Sequence, residues 1–244
     1  MGKQVKIFDS VDELAQNFGL LLANRIAETP AGRHFSWVLS GGSTPKLVFG
    51  KIVSSFRDSI EWKKVIIFWG DERCVGPDDG ESNFKMAREN LLDHIPIPAS
   101  NIFRIYGEAD PAAEAMRYAE QFRRHVSLFH GIPQADLMML GLGDDGHTAS
   151  IFPSHIELFG SDKLFEPAEH PETGQKRITA TGKVINQAKR VVILATGESK
   201  AAMVARIINR LEGWDRLPAS LVSSGNGTLI WLLDQRSAAG LISG

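Results

Sequence analysis

Strands alternating with helices predict a layered α/β fold with a mostly parallel central sheet flanked by helices. Three observations predict it. Short apolar runs recur along the whole chain. Between them the apolar spacing changes to that of a helix. Several runs, such as "KVIIFWG" (64–70), are apolar at consecutive positions, as strands covered on both faces require.

The elements follow in order. "VKIF" (5–8) reads as a strand. Ser10 then caps a helix, with Glu13 at the capping-box position and Val11, Leu14, Phe18, Leu22 and Ile26 on one face. Pro30 lies beyond its end. "HFSWVLS" (34–40) is a strand, followed by a Gly-Gly-Ser-Thr-Pro turn and a helix from about Pro45. After the 64–70 strand, residues 71–81 form a polar loop and residues 82–92 a helix. "NIFRI" (101–105) reads as a further strand. Asp110 or Pro111 opens a helix to about Phe129. "ADLMMLGLG" (135–143) is a strand with its exit turn. "KRITATG" (176–182) and "KRVVILATG" (189–197) are strands. From Glu198 a helix places Val204, Ile207, Ile208 and Leu211 on one face, and "TLIWLLD" (228–234) closes the sheet. The segment 160–176 is a surface excursion, so residues 1–244 are expected to form one domain.

Composition narrows the function. A formal net charge of −2 over 244 residues gives no basic field for nucleic acid. The single cysteine, Cys74, excludes an internal disulfide and a cysteine-rich metal site. The N-terminus lacks a signal-peptide layout, and no apolar run approaches the ~20 residues that span a bilayer. The expectation from these bounds is a cytoplasmic protein.

"GLGDDG" (141–146) spells G-x-G-x-x-G after a strand, the pattern of a dinucleotide site. Two features oppose that reading. Pro153 leaves little room for the required helix, and Asp144 and Asp145 put carboxylates where a pyrophosphate would sit. Without a cofactor, the stretch becomes a sharp strand exit that carries His147 into the crevice of the sheet. A histidine there takes up a proton near neutral pH. The sequence leaves open whether Asp145 orients His147 or shapes the turn.

Three other strand ends offer matching chemistry. Gly41, Gly42, Ser43 and Thr44 place backbone N–H groups and hydroxyls at a helix start, where an anion binds. Ser43 lacks the G-x-S-x-G surroundings of a nucleophile. Arg73, after "VIIFW", brings a planar fork suited to phosphate. Lys200 sits in the first helical turn after "ATG", where only a nearby anion favours a cation. An anion nest, two cations and a histidine around one crevice suggest a small phosphorylated substrate and proton transfer.

These motifs carry a resemblance. "LSGGSTPK" (39–46), "WGDERCVGPDDGESNFKMARENLL" (69–92), "LGLGDDGHTASIFP" (140–153) and "ATGESKAAMVARI" (195–207) occur in this order. With "PASLVSSGNGTLIWLLD" (218–234), they resemble the 6-phosphogluconolactonase family over nearly the whole chain. The resemblance implies a Rossmann-like sheet related to glucosamine-6-phosphate deaminases and ribose-5-phosphate isomerases. It implies hydrolysis of 6-phospho-D-glucono-1,5-lactone. His147 is then similar to the family's base and Asp145 to its motif neighbour. Arg73, Lys200 and Arg177 are similar to its substrate ligands, and Gly41, Gly42, Ser43 and Thr44 to its sugar-phosphate loop. No metal is implied. A sugar-phosphate deaminase, using Asp71 or Glu72 as its acid–base carboxylate, and a non-catalytic sugar-phosphate sensor stay open as alternatives.

Overall fold

The computed structural model describes residues 3–225 and 227–241. Its first half runs β1 (Lys3–Phe8), α1 (Val11–Ala27), β2 (Phe35–Leu39), α2 (Ser43–Phe56), β3 (Val65–Trp69), β4 (Asp71–Arg73), α3 (Asn83–Asn90) and α4 (Pro111–His125). A small hairpin follows, β5 (Leu128–Phe129) and β6 (Ile132–Pro133). Then come β7 (Leu137–Gly141), β8 (Phe165–Glu169), β9 (Lys176–Ala180), α5 (Gly182–Ile185), β10 (Arg190–Ala195), α6 (Ala201–Ile208) and β11 (Thr228–Asp234).

Six strands pair in parallel in the order β1-β11-β10-β7-β2-β3. The central ones are buried at almost every position, so the consecutive apolar residues face helices or loops on both sides. From β2 the chain moves outward to β3, and from β7 it moves the opposite way to β10. The switch point therefore lies between β2 and β7, where a crevice opens beyond the carboxyl ends of the strands.

Local chemistry starts the helices. Ser10 Oγ accepts the Glu13 N–H at 3.1 Å, and Glu13 Oε2 reaches back to the Asp9 N–H at 3.0 Å. Asp110 caps α4 through the Ala113 N–H at 3.0 Å, with Pro111 as its first residue.

Several expectations change. Residues 71–73 are not loop but β4, which pairs antiparallel with β9, while β8 pairs with the other side of β9. Gly70 makes the transition: its N–H donates to Leu39 O at 2.9 Å, and its carbonyl accepts the Ala180 N–H at 2.7 Å. The strand read at 176–182 thus forms, but in this second sheet. The supposed excursion 160–176 contains β8, whose Phe165 is buried against Tyr118 and Phe122 of α4. No periodicity marks β8, because only Phe165 is buried in it. Residues 101–105 are not a strand: a 3-10 turn at Ala99–Asn101 leads to one isolated bridge between Ile102 and Ile67. Two helices stop early. α4 ends at His125, before the hairpin. α6 spans Ala201–Ile208 after a 3-10 turn at 198–200, and Leu211 lies exposed beyond it.

Candidate active site

A cavity of about 230 Å³ lies at the switch point, walled by the exits of β2, β7 and β10 and by β4 and β9. It gathers Gly41, Gly42, Ser43, Thr44, Arg73, His147, Arg177 and Lys200. Asp145 does not line it and stands beside His147 instead.

The loop after β2 is shaped for an anion. Gly42 caps α2 with φ +105°, in the region that favours glycine, and supplies no side-chain cap. The first helical N–H groups are thus left to a ligand rather than to a serine or aspartate cap. Thr44 Oγ1 lies 2.7 Å from Thr196 Oγ1, which ties this helix start to the exit of β10.

The exit of β7 explains the glycine run. The Gly143 N–H donates to His147 O at 2.9 Å and the Gly146 N–H to Gly143 O at 3.1 Å, folding the strand end back on itself. A methyl group at Gly143 would overlap the His147 imidazole. Gly146 turns at φ +86°. Asp145 Oδ1 accepts both the His147 N–H at 3.0 Å and Nδ1 at 2.6 Å. Burial raises the affinity of Asp145 for a proton, but these two bonds outweigh it and hold the carboxyl below its usual range. An ionised carboxylate only accepts, so Nδ1 carries a hydrogen, and in the neutral ring the lone pair then lies on Nε2. The ring rests on buried Phe152, centroid to centroid 4.7 Å. Asp145 therefore shapes the turn and orients the ring at once.

The second sheet brings in two arginines. Arg73 and Arg177 are register partners across β4 and β9. Arg73 Nη1 donates to Glu81 O at 2.7 Å and Asn83 Oδ1 at 2.6 Å. Arg177 Nη2 donates to Gln175 Oε1 at 3.0 Å, and its guanidinium lies 5.6 Å from the Phe152 ring centre. The Nε of each is buried without a partner among the described residues. Burial lowers the Arg177 pKa; Asp71 opposes this shift and Arg73 adds to it. Two buried N–H groups and two like charges side by side make an anion welcome here.

Lys200 is the N-cap of α6, after one 3-10 turn, rather than inside a longer helix. Its ammonium donates to Asp144 Oδ1 at 2.6 Å. The paired aspartates of the glycine run are thus divided between two partners, Asp144 to Lys200 and Asp145 to His147.

Of the two carboxylates after β3, Glu72 is spent on structure. It accepts the backbone N–H groups of Arg73, Asn83 and Phe84 and the Ser82 hydroxyl. Burial pushes its carboxyl up, and the three backbone bonds act against that. Asp71 does line the cavity, with Oδ2 accepting from Ser150 Oγ at 2.7 Å. Asn83, Ser150 and the pairing role of Asp144 escape a reading of local pattern. The only signal for Asn83 is its place just after Ser82, the side-chain cap of α3.

Comparisons with known proteins bear on the family and the fold. The family model described as glucosamine-6-phosphate isomerases/6-phosphogluconolactonase matches residues 9–231. The 6-phosphogluconolactonase of Haemophilus influenzae is 41% identical over 227 residues, 93% of each chain. Among solved structures, one titled devB protein superposes with a TM-score of 0.91 at 38% identity, covering 99% of this chain and 100% of that one. The 6-phosphogluconolactonase of Trypanosoma brucei superposes with a TM-score of 0.84 at 28% identity, covering 99% of both. The chain belongs to the family of glucosamine-6-phosphate isomerases and 6-phosphogluconolactonases.

Proposed function

We propose that the chain hydrolyses 6-phospho-D-glucono-1,5-lactone to 6-phospho-D-gluconate, the second step of the oxidative pentose phosphate pathway. The observation that carries this reading is the His147–Asp145 pair, with His147 lining a cavity that also holds Arg73, Arg177 and Lys200. Similarity to 6-phosphogluconolactonases along almost the whole chain supports it.

The lactone is an activated ester, and water is the only co-reactant. Neutral His147 takes a proton from water through Nε2 as the oxygen attacks the carbonyl carbon. The Asp145 carboxylate steadies the imidazolium that forms. When the tetrahedral intermediate collapses, the ring C–O bond breaks and the imidazolium returns the proton to the departing oxygen. No covalent enzyme intermediate is needed. The amides of Gly41–Thr44 with Arg73, Arg177 and Lys200 hold the phosphorylated sugar so that its carbonyl meets this base. The reading extends to a single domain acting in the cytoplasm, as a monomer or small homo-oligomer, without nucleic acid. The small net charge supports the part about nucleic acid, and no described helix is long and apolar enough to cross a membrane.

The test is a coupled assay in which glucose-6-phosphate dehydrogenase makes the lactone and 6-phosphogluconate dehydrogenase reports its opening. Acceleration over the spontaneous reaction is expected. A rate equal to the blank would sink the proposal, and ammonia released from glucosamine-6-phosphate would point to the deaminase alternative.

Lys200→Ala tests the anion site separately. A charge-assisted hydrogen bond contributes about 1.5–3 kcal/mol, and Asp144 already occupies the ammonium. The Michaelis constant should rise roughly tenfold, the low end of that range, with kcat much less affected. An unchanged Michaelis constant counts against phosphate at Lys200.

A further inference from the structure

One buried polar side chain at the cavity has no part in the reaction described above. Asn83, the first residue of α3, is 1% exposed and lines the cavity wall. Its carboxamide is held at both ends. Nδ2 donates to Asp71 O at 3.0 Å, and Oδ1 accepts Arg73 Nη1 at 2.6 Å. The flipped amide would set N–H against N–H and carbonyl against carbonyl, so the orientation is determined. Its backbone N–H donates to Glu72 Oε1 at 2.7 Å. Across from it lies Gly41, where a methyl group would overlap the Asn83 amide. The anion loop is thus built around this side chain.

The consequence falls on Arg73. Its Nη1 is committed to Asn83 Oδ1 and to Glu81 O. The edge formed by Nε–H and Nη2–H is the other two-pronged face of the guanidinium, and Nε there is buried with no partner among the described residues. Such an N–H stays unsatisfied until an acceptor arrives. Arg177 stands opposite and repels Arg73. Without a fixed acceptor at Nη1, the guanidinium gains freedom and relief from that repulsion by turning away. Glu81 O, on an exposed residue, is the weaker of its two anchors.

We propose that Asn83 is a positioning residue for the hydrolysis. By holding Nη1, it turns the Nε–Nη2 edge of Arg73 toward an anionic oxygen of the bound substrate. This rests on the lactone-hydrolase reading above.

The experiment measures kcat and KM in the coupled assay for wild type, Asn83→Ala, Arg73→Ala and the double variant, with thermal melts to verify folding. Asn83→Ala should lose roughly 10–100-fold in kcat/KM, the scale of a misplaced catalytic group. It should divide that loss between kcat and KM as Arg73→Ala does. The double variant should match Arg73→Ala to within about twofold, because Asn83 acts only through Arg73. Asn83→Asp keeps the acceptor for Nη1 and drops the donor to Asp71 O. It should recover most of the activity, and it also serves if Asn83→Ala fails to fold. Wild-type kinetics in Asn83→Ala, losses that add in full, or an Asn83→Asp as impaired as Asn83→Ala would each overturn the proposal. A wild type that does not accelerate lactone opening overturns the function reading instead. The Asn83 claim is then read from calorimetric affinity for 6-phosphogluconate across the same variants, with the same additivity criterion. A wild type that also binds no 6-phosphogluconate overturns both.

Discussion

Replacing His147 with alanine should lower kcat for lactone opening by about 10²–10⁴-fold, the usual contribution of a positioned acid–base group. Alanine cannot take the proton from water, and the carboxylates nearby are engaged elsewhere, Asp144 by Lys200. Glu72 is buried and occupied by the start of α3, and Asp71 is engaged by Ser150. The phosphate contacts are untouched, so the Michaelis constant should change far less than kcat. Gly143→Ala is a second route to the same result. Its methyl group would overlap the imidazole and drive His147 from its place, so kcat should fall although every reacting group is still present. Both follow from the coupled assay after subtraction of spontaneous opening, on variants that melt as folded proteins. A loss under about tenfold in folded His147→Ala removes it from the base role.

Asp136→Ala should destabilise the fold by about 3 kcal/mol, near the low end for breaking a buried ion pair. Asp136 precedes β7 at the opposite end of the sheet from the cavity, with its side chain 4% exposed. Oδ1 accepts from Arg33 Nη2 and, at 2.8 Å, from Lys189 Nζ. Oδ2 accepts from the Ser36 N–H and hydroxyl, each at 3.0 Å. Alanine strands a buried backbone N–H and two cations. Both cations keep some access to water, which places the cost at the low end. Burial acts to raise the Asp136 pKa, but Arg33, Lys189 and Ser36 outweigh it and the folded value lies below the usual one. The sign follows. This contribution is complete above the unfolded carboxylate pKa of ~3.9 and is lost as pH falls through the lower folded value. Urea melts of wild type and variant should therefore differ most near neutral pH and converge in acid. A gap below about 1 kcal/mol at neutral pH, or one unchanged in acid, contradicts this account. Folded Asp136→Ala should keep its activity.

The fold was legible where a residue's neighbours in sequence are also its neighbours in space. The parallel strands are continuous apolar runs because both faces are covered. Ser10 and Asp110 cap helices through residues three positions on. β4 and β8 were not legible. β4 is three polar residues, Asp71, Glu72 and Arg73, and forms only because β9 returns beside it from about a hundred positions away. β8 shows no apolar alternation because Phe165 is its one buried residue, packed against Tyr118 of α4.

The site divides the same way. His147, its turn glycines, the Gly41–Thr44 loop and Lys200 lie at exits of strands in the parallel sheet, so sequence pattern alone brought them to one crevice. Arg73 lies just beyond β3 and is legible by the same logic. Arg177 came only from family resemblance, because its strand belongs to a sheet that the pattern does not reveal. Ser150 and the partner of Lys200 have no signal at all, and Asn83 has only its place just after the Ser82 cap.

The sequence by itself determined the class of fold, the four loops that meet at the crevice and the histidine at its centre. Those are consequences of local spacing, of glycine's freedom at a turn, and of strands that all point their carboxyl ends the same way. Only the tertiary structure decided how the charges are shared: Asp145 to His147, Asp144 to Lys200, Asn83 to Arg73 and Arg73 against Arg177. Apart from the Asp145–His147 turn, these pairings are made between elements that the chain brings together only on folding. A hydrogen bond depends on distances of a few tenths of an ångström, and residue order alone does not carry that precision.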